Sequence, residues 1–155
     1  MRAVYPTAPA RTTPPKAPMS RLTLYSPAIL DHARSPRHEG RGQPGAQHVR
    51  HHNPICGDRV DLWLHAQQLT HHTRGCAVCI ASASMLTEAF HTHAAPEQLV
   101  ELGSQLVDPA GPSFENTPWQ VLTAVRDVPM RADCVQLPFR ALAELLAVAS
   151  ALPGS

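Results

Sequence analysis

The stretch "HHNPICGDRVDLWLHAQQLTHHTRGC", residues 51–76, decides the fold. Within residues 59–65, Val60, Leu62 and Leu64 alternate with Asp61, Trp63 and His65. That period of two puts one set of side chains on each face of a strand. Residues 46–52 before it and 68–73 after it have strand length and are set off by turns, so three short strands predict an antiparallel meander. At Gly75 the pattern changes. "CAVCIASASMLTEAF", 76–90, carries small Ala and Ser residues on one side with Ile80, Met85, Leu86 and Phe90 nearby, which suits a helix packed closely on a sheet.

Outward from this centre, "SPAILDHARS" (26–35) predicts a helix capped by Ser26 with Pro27 in its first turn. Residues 37–45, "RHEGRGQPG", form a loop. Three more helices open on prolines: Pro96 in "PEQLVELGSQLV", Pro118 in "PWQVLTAVRDV" and Pro138 in "PFRALAELLAVAS", with the loop "DPAGPSFENT" between the first two. Pro138 thereby starts the last helix late. Cys134 then lies at or before its N-terminus, where the helix dipole favours a thiolate. Strands followed by helices give an α+β fold, a small antiparallel three-stranded sheet with helices packed on one face. Residues 1–20, "MRAVYPTAPARTTPPKAPMS", are rich in Pro, Ala and Thr without periodicity and read as a disordered tail ahead of a 21–150 domain. Met19 stands where the folded pattern begins, an alternative start.

The 155 residues suit one domain. Lys plus Arg is 13 against 12 for Asp plus Glu, which lacks the basic excess of a nucleic-acid surface. The lysine is Lys16, in the tail, so neither a Schiff-base lysine nor a P-loop lysine is available to the fold. No apolar run approaches the roughly 18 residues of a membrane span, and the N-terminus lacks a secretory h-region. A cytoplasmic protein with reduced thiols and no membrane partner is expected. Its four cysteines then read as metal ligands or reactive thiols.

Cys76 and Cys79 have Cys-x-x-Cys spacing, which can chelate an ion or serve as a redox dithiol. With Cys56 and Cys134 they suggest a four-cysteine zinc site. A competing set replaces Cys79 with Asp58. Residues 56 and 58 are two apart, so in an extended segment both side chains leave one side, and Gly57 allows a tight turn between them. Spacing does not choose between the two sets.

Four blocks, "LYSPAILDHARSPRHEG", "HNPICGDRVDLWL", "GCAVCIASASMLTEAF" and "MRADCVQLPFRAL", together resemble the NifU/IscU-type iron–sulfur cluster assembly scaffolds, from about Leu22 to Leu146. The resemblance implies a metal site of Cys56, Asp58, Cys76 and Cys134. The long gap from Cys76 to Cys134, and Asp133 where standard scaffolds have a histidine, resemble the SufU-like branch. That branch implies a tightly held Zn2+ and transfer of persulfide sulfur from a pyridoxal-phosphate-dependent cysteine desulfurase. A desulfurase histidine replaces one thiolate on zinc, and the freed cysteine attacks the persulfide. By position Cys56 is the first choice as acceptor and Cys134 the second. Such a protein is a sulfurtransferase-like partner of the desulfurase, upstream of other cluster-assembly proteins, rather than a stand-alone enzyme. The family's cluster scaffolds imply an alternative, a transient [2Fe–2S] cluster on the same ligands; a structural zinc module that binds a protein partner is a third reading. Cys79 stands where the family has a small residue, and reads either as a buried packing residue or as an alternative ligand or resolving thiol.

The remaining polar residues have plainer readings. His51, His52, His71 and His72, with His48 and His65, are expected to be solvated, since neighbours on a strand point to opposite faces and do not chelate by spacing. His91 and His93 follow a helix end, where positive charge is welcome. Asp61 is expected to face solvent, and Asp31 and His32 to be structural or partner-facing. Trp63 and Phe90 belong to a core or interface. Arg59 and Arg131 are surface charges, or one of them sits beside the thiols. The "ASAS" run packs a helix and has no nucleophile-elbow context.

Overall fold

The computed structural model describes residues 24–92 and 94–151, so the tail assigned to 1–20 and His93 lie outside the described residues. Strands β1 (Gln47–His52), β2 (Arg59–His65) and β3 (Gln68–Arg74) form one antiparallel sheet in the order β1-β2-β3. Ala66 and Gln67 join β2 to β3 with φ of 51° and 65°. Positive φ at both positions is the two-residue turn whose twist matches a hairpin. The register sets Val49 opposite Leu62 and Leu62 opposite His71, so the alternation of β2 runs across all three strands. Val49, Val60, Leu62 and Leu69 make the buried face.

Two helices cover that face, α2 (Ala77–His91) and α4 (Ala132–Ala151), after α1 (Pro27–Arg34) and before and after α3 (Pro96–Val107) in the chain order α1, β1–β3, α2, α3, α4. The Ser26 hydroxyl accepts from the Ile29 amide at 3.4 Å, the cap expected for α1. Along α2, Ala81, Ser82, Ala83 and Ser84 are all buried. Their small volume brings α2 against α4, where the Ser82 hydroxyl donates to the Val135 carbonyl at 2.7 Å. The "ASAS" serines are therefore packing and hydrogen-bonding groups. Ser84 accepts from the Arg37 amide at 2.8 Å and meets His32 Nδ1 at 2.7 Å, which ties the end of α1 to α2. Asp31 pairs with Arg37 at 2.7 Å. α3 reaches α4 through Gly103, where a Cβ would come within 2.6 Å of the Phe139 side chain.

Two helical expectations change. Pro118–Asp127 is a 3-10 helix, not an α-helix. Leu122 and Val125 are buried, and Trp119 and Val128 pack on the core, so the apolar spacing is three, the period of the tighter helix. The Thr123 hydroxyl donates to the Gln120 carbonyl at 2.6 Å, a side-chain bond that competes with α-helical pairing. Arg126 in this segment donates to the carbonyls of Gln105 and Leu106, capping the end of α3.

The last helix does not wait for Pro138. It begins at Ala132 behind a 3-10 turn at Pro129–Arg131, with Pro138 inside it. Cys134, Val135, Pro138, Ala141, Leu142 and Leu145 are buried at helical spacing, so the apolar stripe starts at Cys134 and tertiary burial overrides the proline. Pro138 has no N–H to give the Cys134 carbonyl four residues back. The added length makes Pro129–Ala151 long and apolar enough to cross a membrane by composition, although Arg131, Asp133, Arg140 and Glu144 interrupt its apolar run. Its apolar stripe instead covers β1 and β2.

Asp61 and His71 also depart from expectation. Asp61 does lie on the outer side of β2, but it is 3% exposed. β2 is the central strand, and side chains from β1 fold over it: His48 Nε2 and Arg50 Nε reach Oδ1 at 2.7 and 2.8 Å. Burial would raise the pKa of Asp61; the hydrogen bonds from Arg50 and His48 outweigh it and hold the carboxyl below its ordinary value. His48 stacks on Trp63, with ring centroids 4.7 Å apart. His71 takes the inner face between Leu69 and Thr73 and is fully buried, meeting Thr73 Oγ1 at 2.8 Å and the Arg37 carbonyl at 3.0 Å. His91 is tied down rather than solvated, accepting from the Leu69 amide at 3.1 Å and donating to the Thr87 carbonyl at 2.9 Å.

Burial depresses the His71 pKa from 6.5 to about 4. Between these values the unfolded chain binds a proton that the folded chain refuses, so stability is lost as the pH falls from about 6.5 towards 4. The loss from this residue is on the order of 3 kcal/mol as an upper bound. Urea unfolding of the wild type should show that acid-side fall, and His71→Gln should flatten it. An equal slope in the variant would assign the effect to other groups.

Candidate metal centre

Residues 53–58 connect β1 to β2 as a closed loop. The Asn53 amide donates to the Asp58 carbonyl, and the Gly57 amide to the Asn53 carbonyl, each at 2.8 Å. Asn53 Oδ1 also accepts from the Ile55 amide at 3.0 Å. Gly57 has φ of +79°, the left-handed conformation that glycine adopts without a Cβ penalty. Cys56 and Asp58 thus come together across a turn, not along an extended segment. Cys56 is exposed at the tip, and Asp58 is 2% exposed at the root.

The sheet brings the second element to the same edge. Arg59 pairs with both His52 and Arg74, so the loop before β2 and the chain leaving β3 emerge side by side. Gly75 follows, with φ of +154°; a Cβ there would stand 2.2 Å from Asp58 Oδ1. Glycine is needed for both reasons. The Cys76 amide donates to Asp58 Oδ1 at 3.1 Å, and the Cys76 Sγ lies 3.7 Å from Oδ2. α4, laid over β1 and β2, supplies Cys134 from its first turn, 1% exposed. The ligating atoms of Cys56, Asp58 and Cys134 lie within 4.8 Å of one another.

Cys76 joins this group through both Asp58 and Cys134. Its pKa is lowered to about 7, first by the hydrogen bond with Cys134, then against burial by the amides of Cys79 and Val78 at the start of α2. The Cys134 thiol is pushed up, first by the same hydrogen bond and then by burial. This reverses the expectation that Cys134 is the dipole-favoured thiolate. Cys76 holds the N-cap of α2, while Cys134 is three residues inside α4 behind another turn. Arg131 adjoins Cys134, and the neighbouring thiol raises the arginine pKa. Arg59 turns instead towards Asp61, with Nε 3.6 Å from Oδ2. Of the two arginines, Arg131 is the one beside the thiols. Asp133 pairs with Arg140 at 3.3 Å and takes no part. Cys79 is fully buried, and burial pushes its thiol pKa up, with Asp58, Cys76 and Cys56 adding to the rise.

The donor set suits a thiophilic divalent cation. Zinc bonds sulfur and carboxylate oxygen at about 2.0 to 2.3 Å in a tetrahedron, whose donor–donor edges are then roughly 3.3 to 3.8 Å. Donors already within 4.8 Å need only a small contraction. Among the described residues no cationic side chain forms an ion pair with Asp58, although buried carboxylates are ordinarily paired or bound to metal. Gly75 and Asn53 are the supporting residues missed in the sequence reading. The Asn-Pro pair at 53–54 was a turn signal for Asn53; the need for Gly75 shows only once Asp58 is placed against it.

Comparison with known proteins identifies the family of the chain. The NifU-like N-terminal domain family matches residues 24–103. The iron–sulfur cluster assembly scaffold protein IscU of Streptococcus pyogenes serotype M1 is 28% identical over 134 residues, 79% of this chain and 82% of that protein. The zinc-dependent sulfurtransferase SufU of Bacillus subtilis (strain 168) is 36% identical over 72 residues, 43% of this chain and 48% of that protein. The crystal structure of a nitrogen-fixing NifU-like protein (N-terminal) from Brucella abortus shares the fold, with a TM-score of 0.68 and 21% identity over 84% of this chain and 97% of that one. The chain belongs to the NifU-like N-terminal domain family, in its IscU and SufU-like part.

Proposed function

We propose that the 21–150 domain acts in iron–sulfur cluster assembly in the cytoplasm, holding Zn2+ through Cys56, Asp58, Cys76 and Cys134 and accepting persulfide sulfur from a pyridoxal-phosphate-dependent cysteine desulfurase. The observation that carries this reading is the meeting of Cys56, Asp58 and Cys134 within 4.8 Å, with Cys76 bonded to the same carboxylate. Bound zinc supplies Lewis acidity that keeps coordinating thiols deprotonated at neutral pH. The chain's own residues do the rest. Cys56 is the exposed thiol of the set and the first candidate to take sulfur; Cys134, buried beside Arg131, is the second. Asp58 gives a hard oxygen donor among sulfurs and is held by the Cys76 amide. Ile55, 91% exposed, adjoins Cys56, and Met130, 78% exposed, precedes Arg131. Large apolar side chains left in water beside a reactive thiol suit a protein partner that covers them on docking.

The IscU relative's name favours a second reading, a transient [2Fe–2S] cluster on the same four side chains. Elemental analysis of protein purified without chelators separates the two. One zinc per chain and no visible chromophore supports the zinc reading; brown protein with iron and sulfide supports the cluster.

Asp58→Ala should lower zinc affinity by more than the roughly 10- to 100-fold typical of losing a supporting group, while Cys79→Ser should leave it nearly unchanged. Equal affinities in a competitive chelator titration would shift the site to four cysteines. Gly75→Ala should cost about 10- to 100-fold by displacing the Asp58 carboxylate. Gly45→Ala, also at positive φ but with open space around it, should not change zinc binding.

Added to a desulfurase, the protein should raise cysteine-dependent sulfide release, and Cys56→Ser should abolish persulfide uptake. Persulfide trapped by alkylation on that variant would move the acceptor role to Cys134. Removal of residues 1–18 should change neither zinc content nor sulfur uptake.

A further inference from the structure

We propose that Cys76 and Cys79 form a two-electron thiol–disulfide couple at the start of α2, and that closing the disulfide withdraws Cys76 from the metal. The second half rests on the zinc reading above; the first does not. Cys76 is the N-cap of α2, with φ −73° and ψ 162°, and Cys79 is the third helical residue. Side chains at these two positions reach one another in the capping box of ordinary helices. Their Cα atoms are about 5 to 6 Å apart in such a turn, inside the roughly 4.4 to 6.8 Å span of disulfides, so no secondary element has to move.

The two thiols differ in access. Cys76 is half-buried and can meet a reagent from solvent; Cys79 is fully buried behind it. The zinc site as read uses four donors and leaves Cys79 over, one helical turn on from the Cys76 N-cap. An entry thiol at a helix N-terminus with a second thiol one turn inside is the arrangement that runs disulfide exchange.

The oxidant is a low-molecular-weight disulfide, RSSR. The Cys76 sulfur attacks one sulfur of RSSR; the S–S bond breaks and RS− leaves, taking a proton from water where Cys76 starts as a zinc-bound thiolate and from Cys76 itself where it starts as a free thiol. The Cys79 sulfur then attacks the Cys76 sulfur, and the second RSH leaves with the proton from Cys79. Two protein thiols are oxidised to one disulfide, and RSSR is reduced to two thiols. Oxidised Cys76 is no longer a thiolate donor, and the metal loses one of its ligands together with the sulfur partner of Cys134.

The test is a titration of the purified, zinc-loaded full chain with oxidised glutathione, followed by alkylation and tryptic mapping. Cleavage after arginine puts Cys76 and Cys79 together in peptide 75–126, Cys56 in 51–59 and Cys134 in 132–140. The expected product is peptide 75–126 two hydrogens lighter with no glutathione attached, with zinc passing to a chromophoric chelator in step. Cys79→Ser should bind zinc, then accumulate glutathione on Cys76 without resolving it. Cys76 recovered in a link to 132–140 or 51–59, or 75–126 recovered with both thiols alkylated, overturns the couple. Zinc retained while the disulfide forms overturns the withdrawal of Cys76. A chain that binds no zinc before oxidant is added fails the earlier reading alone, and the same mapping of that chain still decides the couple.

Discussion

The Asp58 carboxylate sits buried at the edge of a three-stranded sheet, and its position controls everything around it. Three constraints hold it there: the closed 53–58 loop on one side, the Cys76 amide on the other, and a glycine between them with no Cβ to push it away. A buried carboxylate without a cationic neighbour is costly, so the fold that keeps it there calls for a positive charge. The thiols of Cys56, Cys76 and Cys134 gather at the same point and supply the softer donors that make zinc a suitable answer.

The sheet is the means by which distant residues meet. Because β2 pairs with both neighbours in full register, the 53–58 loop and the chain after β3 are forced out at one edge. The small residues of α2 then let α4 come close enough to deliver Cys134. Each contribution is modest in sequence terms: a turn, an Ala-Ser face and an apolar stripe. Their product is a cluster of nucleophiles with unequal access, Cys56 in solvent, Cys76 half-covered, Cys134 and Cys79 enclosed. Unequal access suits sulfur chemistry, since an exposed thiol can meet a partner while enclosed ones are shielded from stray oxidants.

Where Cys76 and Cys134 share a proton, ionisation is favoured at Cys76. Cys76 has the amides of the helix N-terminus; Cys134 has Cys76, burial and the Asp58 carboxylate set against its ionisation. Helix position thus matters less as a label than as a count of amides pointing at the sulfur. The same reasoning explains why Pro138 did not delay α4. A single missing hydrogen bond weighs less than a stripe of buried side chains that begins at Cys134.

What the sequence by itself determined was local. Alternation in β2, small residues in α2 and the prolines that open α1 and α3 were readable because each follows from the local rules of its own element. The five candidate donors were readable from residue type, and the choice of Asp58 over Cys79 came from family resemblance, since spacing left both sets open. Only the tertiary structure decided the rest: that Asp61 and His71 are buried, that residues 118–127 wind as a 3-10 helix, that Arg131 and not Arg59 faces the thiols, and that Gly75 must lack a side chain. Each of these depends on what a neighbouring strand or helix lays over the residue, and no local period carries that information.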